Sequence, residues 1–262
     1  MVSGDLPDRT DRTSGGRRLA AYDRRSGDIA VRLADVLHRG LSDGTFFRLL
    51  ALVAIWKSVE IAVLGSFTGA LPMLCAGLLV FLRRELGAGM IALACLAIIA
   101  TPGTYGQPAV NHLTWVFWIA ASASLFRGDQ QRFVFKAQLS IMYGFAAIAK
   151  VWPDFLTGAA LASRTWLGAV TSIELLIAVS WATLIVEAGL AVGVWLRRPW
   201  WTAAFAAAVG LHTSFLLFTV TDPWRVGRLV IFGGLSVAVW LRAVPRGADE
   251  GSKRRLATRR PR

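Results

Sequence analysis

The sequence predicts an all-α protein, a polytopic transmembrane helix bundle of about eight spans with both termini in the cytoplasm. Three observations lead to this prediction. Hydrophobic residues make up 55% of the 262 residues and charged residues only 17%, whereas soluble domains contain about 25% charged residues. The apolar residues fall into long runs of the kind that cross a bilayer. The basic residues concentrate in alternate connections between those runs, as the positive-inside rule requires.

Eight apolar runs are predicted to form the spans. They cover residues 46–66, 68–82, 86–101, 109–126, 133–151, 172–196, 200–220 and 226–242. The second and third runs are shorter than the usual length of about 17 to 25 residues, so a re-entrant pair is the alternative for them. Together the runs predict one transmembrane domain over residues 46–242, in a multi-pass protein of the cell membrane.

The 29 lysine and arginine residues are distributed unevenly between the two sides of this topology. The connections predicted to lie outside contain only Arg164, Arg225 and Arg228, and Lys57 and Lys150 lie within spans. All the others fall in the two termini or in the connections predicted to lie inside. Basic segments beside spans favour anionic lipid headgroups as the partner of the net charge of +13 and exclude a nucleic acid.

The regions that flank the apolar runs are predicted from composition. Residues 1–27 and 243–262 are basic and polar, and we expect disordered tails there. Residues 28–45 contain apolar positions at helical spacing with arginines on the opposite face, which predicts an amphipathic helix in the cytoplasmic interface.

Several classes of site are excluded by the residues that the chain lacks. The two cysteines, Cys75 and Cys95, both lie in apolar runs and cannot build a disulfide framework or a zinc site. No nucleotide-binding glycine motif, HExxH motif, nucleophile elbow or CxxC motif occurs. No metal site is therefore predicted.

Ionisable residues inside spans are costly, so each is a candidate functional residue. Lys57 and Glu187 lie at matching depths, on the order of 15 Å from the cytoplasmic side at a rise of about 1.5 Å per residue. Their opposite charges predict a structural ion pair, and Glu60, one turn from Lys57, offers that lysine a second carboxylate.

A second group of polar residues collects toward the predicted outer face. The candidate catalytic residues are Lys150, His112 and His212, and the candidate substrate-binding residues are Asn111, Gln138, Tyr143, Asp154, Glu174, Glu187 and Asp222. An amine, two imidazoles, an amide and carboxylates approaching one face are typical of acid–base chemistry. Burial favours the neutral form of an amine, which then accepts a proton.

These residues also have structural interpretations, which the spacing alone leaves open. Lys150, shortly before Pro153, is either an anchor that extends to the outer headgroups or a base in a dry site. His212 is either a catalytic residue or a neutral histidine bonded across helices. Asn111 is either a ligand-binding residue or a helix N-cap.

The order and spacing of these residues resemble the horizontally transferred transmembrane (HTTM) family, which includes the vitamin K-dependent gamma-carboxylase. The resemblance extends from about Arg48 to Trp240. It rests on the pair Asn111-His112 before a span, the segment with Gln138, Tyr143, Lys150, Asp154 and Gly158, the acidic Glu187 followed by Gly189, and His212.

The resemblance implies that Lys150 is a base that deprotonates a reduced quinone, supported by Asn111 and His112. The cofactor implied is therefore a reduced quinone. The carboxylase also has a large extracytoplasmic region after its spans that handles the glutamyl protein, and we expect no counterpart of that region here, because only a basic tail follows the last predicted span. We therefore expect a lipophilic substrate, a quinone or an isoprenoid, and lyase-like chemistry near the outer leaflet.

Two other functions compete with this one. A small membrane terpene cyclase would use an acid to protonate an alkene or epoxide and aromatic side chains to stabilise the cation. The acids would be Asp154, Glu174 or Glu187, and the aromatics Trp115, Trp118, Phe145, Trp152, Trp166 and Trp181. A non-catalytic protein resembling the sporulation-delaying toxin maturation protein B would instead need a protein partner.

Overall fold

A computed structural model describes residues 43–64, 66–101, 107–218 and 223–244. Over these residues the protein is helical, which confirms the predicted all-α class. The predicted tail at 1–27, nearly all of the predicted interfacial helix at 28–45, most of the tail at 243–262 and the candidate residue Asp222 lie outside the described residues.

Within the described residues, eight long helices coincide with the eight apolar runs. They are α1 (Asp43–Val63), α2 (Phe67–Leu82), α3 (Arg84–Ala100), α4 (Gln107–Leu125), α5 (Gly128–Ala149), α8 (Ile173–Gly193), α9 (Arg198–Phe218) and α10 (Pro223–Arg242). The largest difference is at α5, which begins at Gly128 rather than near residue 133. An apolar run marks the lipid-compatible part of a helix, whereas the helix itself continues into the polar turn before it.

The connection between α5 and α8 contains three short elements. These are α6 (Pro153–Leu156), α7 (Ala159–Arg164) and a 3₁₀ turn (Trp166–Ala169). Gly158 joins the first two with a φ of +79°, a conformation that glycine adopts without strain. Its backbone lies so close to α8 that an added Cβ would come within 2.8 Å of the Cβ of Leu176. The segment is therefore held against the end of the bundle.

The long helices pack in a closed ring. Each contacts the next in the order α1, α2, α3, α4, α5, α8, α9 and α10, and α10 returns to contact α1. Helix α10 also contacts α5 across the ring. This arrangement places α5, α8, α9 and α10 together on one side of the bundle, where most of the candidate residues lie.

The described surface of this bundle is rich in large apolar side chains, and its mainly apolar core also contains ionisable side chains. Large apolar side chains lie exposed on the outer faces of the helices, for example Leu71, Leu78, Leu93, Ile141 and Ile185. Buried positions include the ionisable Lys57, Glu60 and Glu187. A soluble protein seldom exposes so many large apolar side chains.

Two helices among the described residues are long and apolar enough to cross a membrane, Ile173–Gly193 and Trp200–Phe218. Only 28% of the apolar window of each is buried within the protein. Such exposure distinguishes them from the core helices of a soluble protein, which satisfy the same criteria of length and apolarity but are mostly buried.

Candidate functional site

Lys150 caps the C-terminal end of α5, and its side chain turns back along the helix. Its Nζ donates hydrogen bonds to both carboxylate oxygens of Glu187 on α8, at 2.7 and 2.6 Å. It also lies 3.3 Å from the carbonyl oxygen of Ala146, one turn back along α5. The amine therefore points into the bundle, whereas an anchor would extend beyond the helix end toward the headgroups.

The environment of this ion pair is sheltered. Glu187 is 4% exposed and Lys150 is 19% exposed. Phe155, in the short helix α6, places its ring 5.6 Å from the Lys150 Nζ, within the range of a cation–π contact. The connection that follows α5 thus covers the amine with an aromatic ring.

The predicted pair between Lys57 and Glu187 is wrong. Lys57 instead bonds Glu60 on its own helix at 2.7 Å, and both side chains are buried. The prediction relied on depth, but depth does not determine which helices are neighbours. Helix α1 packs mainly against α2 and α10, and α8 packs mainly against α5 and α9. The sequence argument did name Glu60 as a second carboxylate within reach of Lys57.

Tyr143 is the centre of a second polar group, formed by α5, α9 and α10. Its hydroxyl lies 3.0 Å from the Nε2 of His212 and accepts a hydrogen bond from the Nε1 of Trp240 at 3.2 Å. An indole N–H only donates, so the Tyr143 oxygen is the acceptor in the bond with Trp240. The Tyr143 O–H donates to Nε2 when the His212 proton is on Nδ1, and in the other tautomer the Nε2–H donates to the Tyr143 oxygen. In either tautomer the imidazole is bonded across helices.

The two polar groups adjoin one another. Tyr143 and Lys150 share one face of α5, because they are seven residues apart in the same helix. Glu187 and Tyr143 belong to α8 and α5, which pack against one another, and Lys150 of α5 binds Glu187 directly. Lys150, Glu187, Tyr143 and His212, all predicted from the sequence, are therefore brought together.

His112 occupies a different part of the bundle. Its ring stacks on Phe232 of α10, with centroids 4.6 Å apart. Lys57 also approaches Phe232, with its Nζ 5.5 Å from the centroid of the same ring. The resemblance implied that His112 supports Lys150. In the structure, the His112 ring instead contacts Phe232 of α10, the same ring that Lys57 approaches.

The remaining candidate residues join helices, stabilise a helix end or lie exposed at the surface. Gln138 donates through Nε2 to the Trp118 carbonyl oxygen at 2.8 Å and to the Ser122 hydroxyl, which joins α5 to α4. Glu174 is exposed in the first turn of α8, where a carboxylate stabilises the helix dipole. Asn111 and Asp154 are also exposed.

The aromatic side chains proposed for a cation cage do not gather in the interior. Five of the six are exposed by 47–74%, namely Trp118, Phe145, Trp152, Trp166 and Trp181. Trp115 alone among them packs against the core. The Trp166 indole donates to the Leu217 carbonyl oxygen at 2.8 Å and so fastens the outer connection to the end of α9.

Sequence reasoning missed Trp240 and Phe155. Trp240 could not be singled out from the sequence because tryptophan is common throughout this chain. Its contact with Tyr143 depends on how α10 crosses α5, which the sequence does not show. Phe155 follows Asp154 in a connection whose path no periodicity predicts. The available signal for this short helix was Pro153, two residues before Phe155, since proline is favoured in the first turn of a helix.

The site holds the groups needed for proton transfer: a primary amine, a carboxylate, a phenol and an imidazole in one sheltered region. Within the described ranges no cluster of three or more His, Cys, Asp or Glu side chains offers a metal site. No family model, curated protein or solved structure matches this sequence significantly.

Proposed function

We propose that this chain is a multi-pass membrane enzyme that carries out acid–base chemistry on a lipophilic substrate near the outer leaflet. The observation that carries the proposal is the inward-turned amine of Lys150, held on both oxygens of Glu187 beside Tyr143 and His212. Buried ion pairs add little to stability compared with apolar side chains of the same size. Their presence in a membrane protein favours a functional role.

The multi-pass topology is supported by the surface of the bundle. All eight predicted spans are helices, and large apolar side chains are exposed along them. Helices α2 and α3 have 16 and 17 residues, so at about 1.5 Å per residue each is somewhat shorter than a hydrocarbon layer of about 30 Å, and a re-entrant pair stays the alternative for them. The uneven distribution of basic residues supports cytoplasmic termini and an outer location for the connection between α5 and α8.

The chemistry follows from the exchange of one proton within the pair. Transfer from the Lys150 ammonium to the Glu187 carboxylate gives a neutral amine beside a neutral acid. In a site of low polarity this neutral form is far less disfavoured than it is in water. The amine then removes a proton from a bound substrate, and Tyr143 and His212 provide a hydrogen-bonded pair for proton redistribution.

The substrate class comes from the resemblance to the HTTM family and the lipid-facing surface. A quinone or an isoprenoid suits both, and a reduced quinone is the proposed co-substrate. The exposed aromatic side chains give the competing cyclase chemistry no interior cage, so a base-led reaction fits the geometry better than an acid-led one. In the base-led reaction the base is Lys150, so replacing this residue distinguishes the two reactions.

The proposal is tested by replacing each buried lysine with arginine. Arginine keeps the positive charge but does not give up its proton. Cells producing wild type, Lys150→Arg or Lys57→Arg at matched membrane levels are compared by mass spectrometry of their lipid extracts. We expect a lipid product that depends on wild type, persists with Lys57→Arg and disappears with Lys150→Arg. An unchanged product with Lys150→Arg would contradict the proposal, and no lipid change with any variant would favour a maturation role.

A further inference from the structure

Lys136 lies near the beginning of α5, at the end of that helix which the distribution of basic residues predicts to be cytoplasmic. Its Nζ lies 5.9 Å from the centroid of the Trp195 ring, in the turn that follows α8. The Phe133 ring meets the same indole edge to face, with centroids 5.5 Å apart. One turn further along α5, the Ser140 hydroxyl donates to the Ala191 carbonyl oxygen at 2.6 Å and joins the two helices. The amine is therefore held across the seam between α5 and α8.

The positive charge of this cluster exceeds its negative charge. Among the described residues, Lys136 forms no ion pair with a carboxylate. Arg132 precedes it by four positions, which places both cations on one face of α5. Arg132 is 31% exposed and lies 3.6 Å from the Asp129 carboxylate, which offsets at most one of the charges. Arg197, close behind the turn that carries the indole, is exposed and adds a further positive charge.

Two aromatic rings give the same cluster an apolar surface. Phe133 is 62% exposed and Trp195 is 43% exposed, so both rings are accessible from outside the bundle. Tryptophan is enriched where the headgroups of a membrane meet its hydrocarbon, because the indole has an apolar body and a polar N–H. Exposed rings beside uncompensated cations fit a molecule that combines an anionic head with hydrocarbon chains.

We propose that Arg132, Lys136 and Trp195 form a binding site for an anionic phospholipid of the cytoplasmic leaflet. The lipid phosphate accepts hydrogen bonds from the lysine ammonium and the arginine guanidinium, and the acyl chains lie against the rings of Phe133 and Trp195. This inference rests on the membrane location in the proposed function but not on the chemistry at Lys150. A lysine that only extends to the headgroups would attract anionic lipids without needing the indole.

The test measures which lipids the folded protein retains. Full-length protein in a neutral detergent is mixed with equal amounts of phosphatidylglycerol and phosphatidylcholine, and the bound lipids are counted by native mass spectrometry. We expect wild type to retain phosphatidylglycerol in preference to phosphatidylcholine. Lys136→Gln should lower this retention about fivefold, the effect of about 1 kcal/mol for a lysine near anionic headgroups. The matched control, Arg84→Gln, removes an exposed positive charge on the same predicted side and should leave retention nearly unchanged.

A second variant tests the geometry of the site without changing its charge. Trp195→Leu removes the ring beside the Lys136 amine and should lower the retention of phosphatidylglycerol by about two- to fivefold. Trp200→Leu is its control, because Trp200 is a 67% exposed tryptophan near the start of α9 and has no place in the cluster. Excess glycerol phosphate should not displace the lipid, since it has the phosphate but lacks the acyl chains.

Three results would overturn the inference. Equal retention of the two lipids by wild type, or retention of neither, would show that no such site exists. Equal losses with Lys136→Gln and Arg84→Gln would show that net charge alone attracts the lipid. Displacement by glycerol phosphate would indicate a site for a soluble phosphate. Thermal midpoints check that each variant folds, and if Lys136→Gln does not, an equal effect of Trp195→Leu and Trp200→Leu overturns the inference instead.

The two proposals fail separately. If Lys150→Arg abolishes the lipid product while the retention of phosphatidylglycerol depends on charge alone, only the phospholipid site is wrong. If Lys136→Gln and Trp195→Leu lose the phospholipid while Lys150→Arg keeps the product, the phospholipid site stands and the base chemistry is wrong.

Discussion

At the scale of single residues, the central feature is the direction of the Lys150 side chain. The sequence identified this lysine, and Tyr143 on the same helical face, from spacing alone. It left open whether the amine points outward or inward, because that depends on which residue of α8 lies opposite. The structure places Glu187 there, 2.6 Å from the amine. The same dependence explains why the predicted partner of Glu187 was wrong.

A double-mutant cycle tests this pairing. Breaking a buried pair by removing one partner costs about 3–5 kcal/mol, so Lys150→Met and Glu187→Gln should each lower the free energy of unfolding strongly. The double variant should be less destabilised than the sum of the single variants, by about 1–3 kcal/mol. Unfolding in detergent, followed by circular dichroism, provides the measurement.

The control for that cycle combines Lys57→Met with Glu187→Gln. Because Lys57 pairs with Glu60, these two changes belong to different ion pairs, and their effects should add within about 0.5 kcal/mol. Coupling between Lys57 and Glu187, together with additivity between Lys150 and Glu187, would contradict the structure.

The Tyr143 hydroxyl supports a second prediction at this scale. Tyr143→Phe keeps the ring but leaves the Trp240 indole N–H and the His212 imidazole without their shared partner. The free energy of unfolding should fall by about 1–3 kcal/mol, the cost of unsatisfied buried polar groups. Phe205→Leu tests packing beside the same Trp240 without altering a hydrogen bond. Full stability of Tyr143→Phe would show that the three side chains do not form the assigned network.

At the scale of elements, the sequence predicted the long helices well and their connections poorly. Each apolar run ends near glycine, proline or arginine, and those residues also end or begin helices. The run from 133 thus identified α5, although the helix begins at Gly128. The segment between α5 and α8 has no periodicity, so its three short helical elements were not predicted. Its fold depends on contacts with α8 and α9.

Gly158 is the residue on which this outer segment depends most. Gly158→Ala places a Cβ against Leu176 and requires an alanine at a φ of +79°, so it should cost about 1–3 kcal/mol and loosen the segment. The matched control is Gly128→Ala, which also has a positive φ of +57° but meets nothing within 4 Å. The label uptake of an exposed Ser163→Cys, measured in each background, should rise with Gly158→Ala only. Equal uptake in both backgrounds would show that the Leu176 contact does not hold the segment.

At the scale of the whole molecule, the described helices form a closed ring with large apolar side chains on its surface, and two of them are long and apolar enough to cross a membrane. Composition was enough to predict an all-helical protein with apolar helices of this kind, because lipid imposes length and polarity directly on the sequence. The order of packing was not predictable, since the ends of an apolar run do not specify which neighbour a helix contacts. That order brings α5, α8, α9 and α10 together around the candidate site.

The predicted sidedness is tested by cysteine labelling in a Cys75→Ser background with an impermeant thiol reagent. Ser163→Cys, in the connection between α5 and α8, should be labelled in intact cells. Gln130→Cys, exposed in the first turn of α5, should be labelled only after permeabilisation. The reverse pattern would place Lys150 near the cytoplasmic side.

The most direct test of the central claim, that Lys150 is a base, is chemical rescue of Lys150→Ala. The substitution leaves space beside Glu187 for a small cation. Butylamine supplies a primary amine that exchanges its proton, whereas butylguanidine supplies a similar positive charge that does not. We predict that added butylamine restores formation of the Lys150-dependent lipid product and that butylguanidine does not. Equal restoration by both compounds would show that Lys150 provides only a positive charge, and would contradict the account.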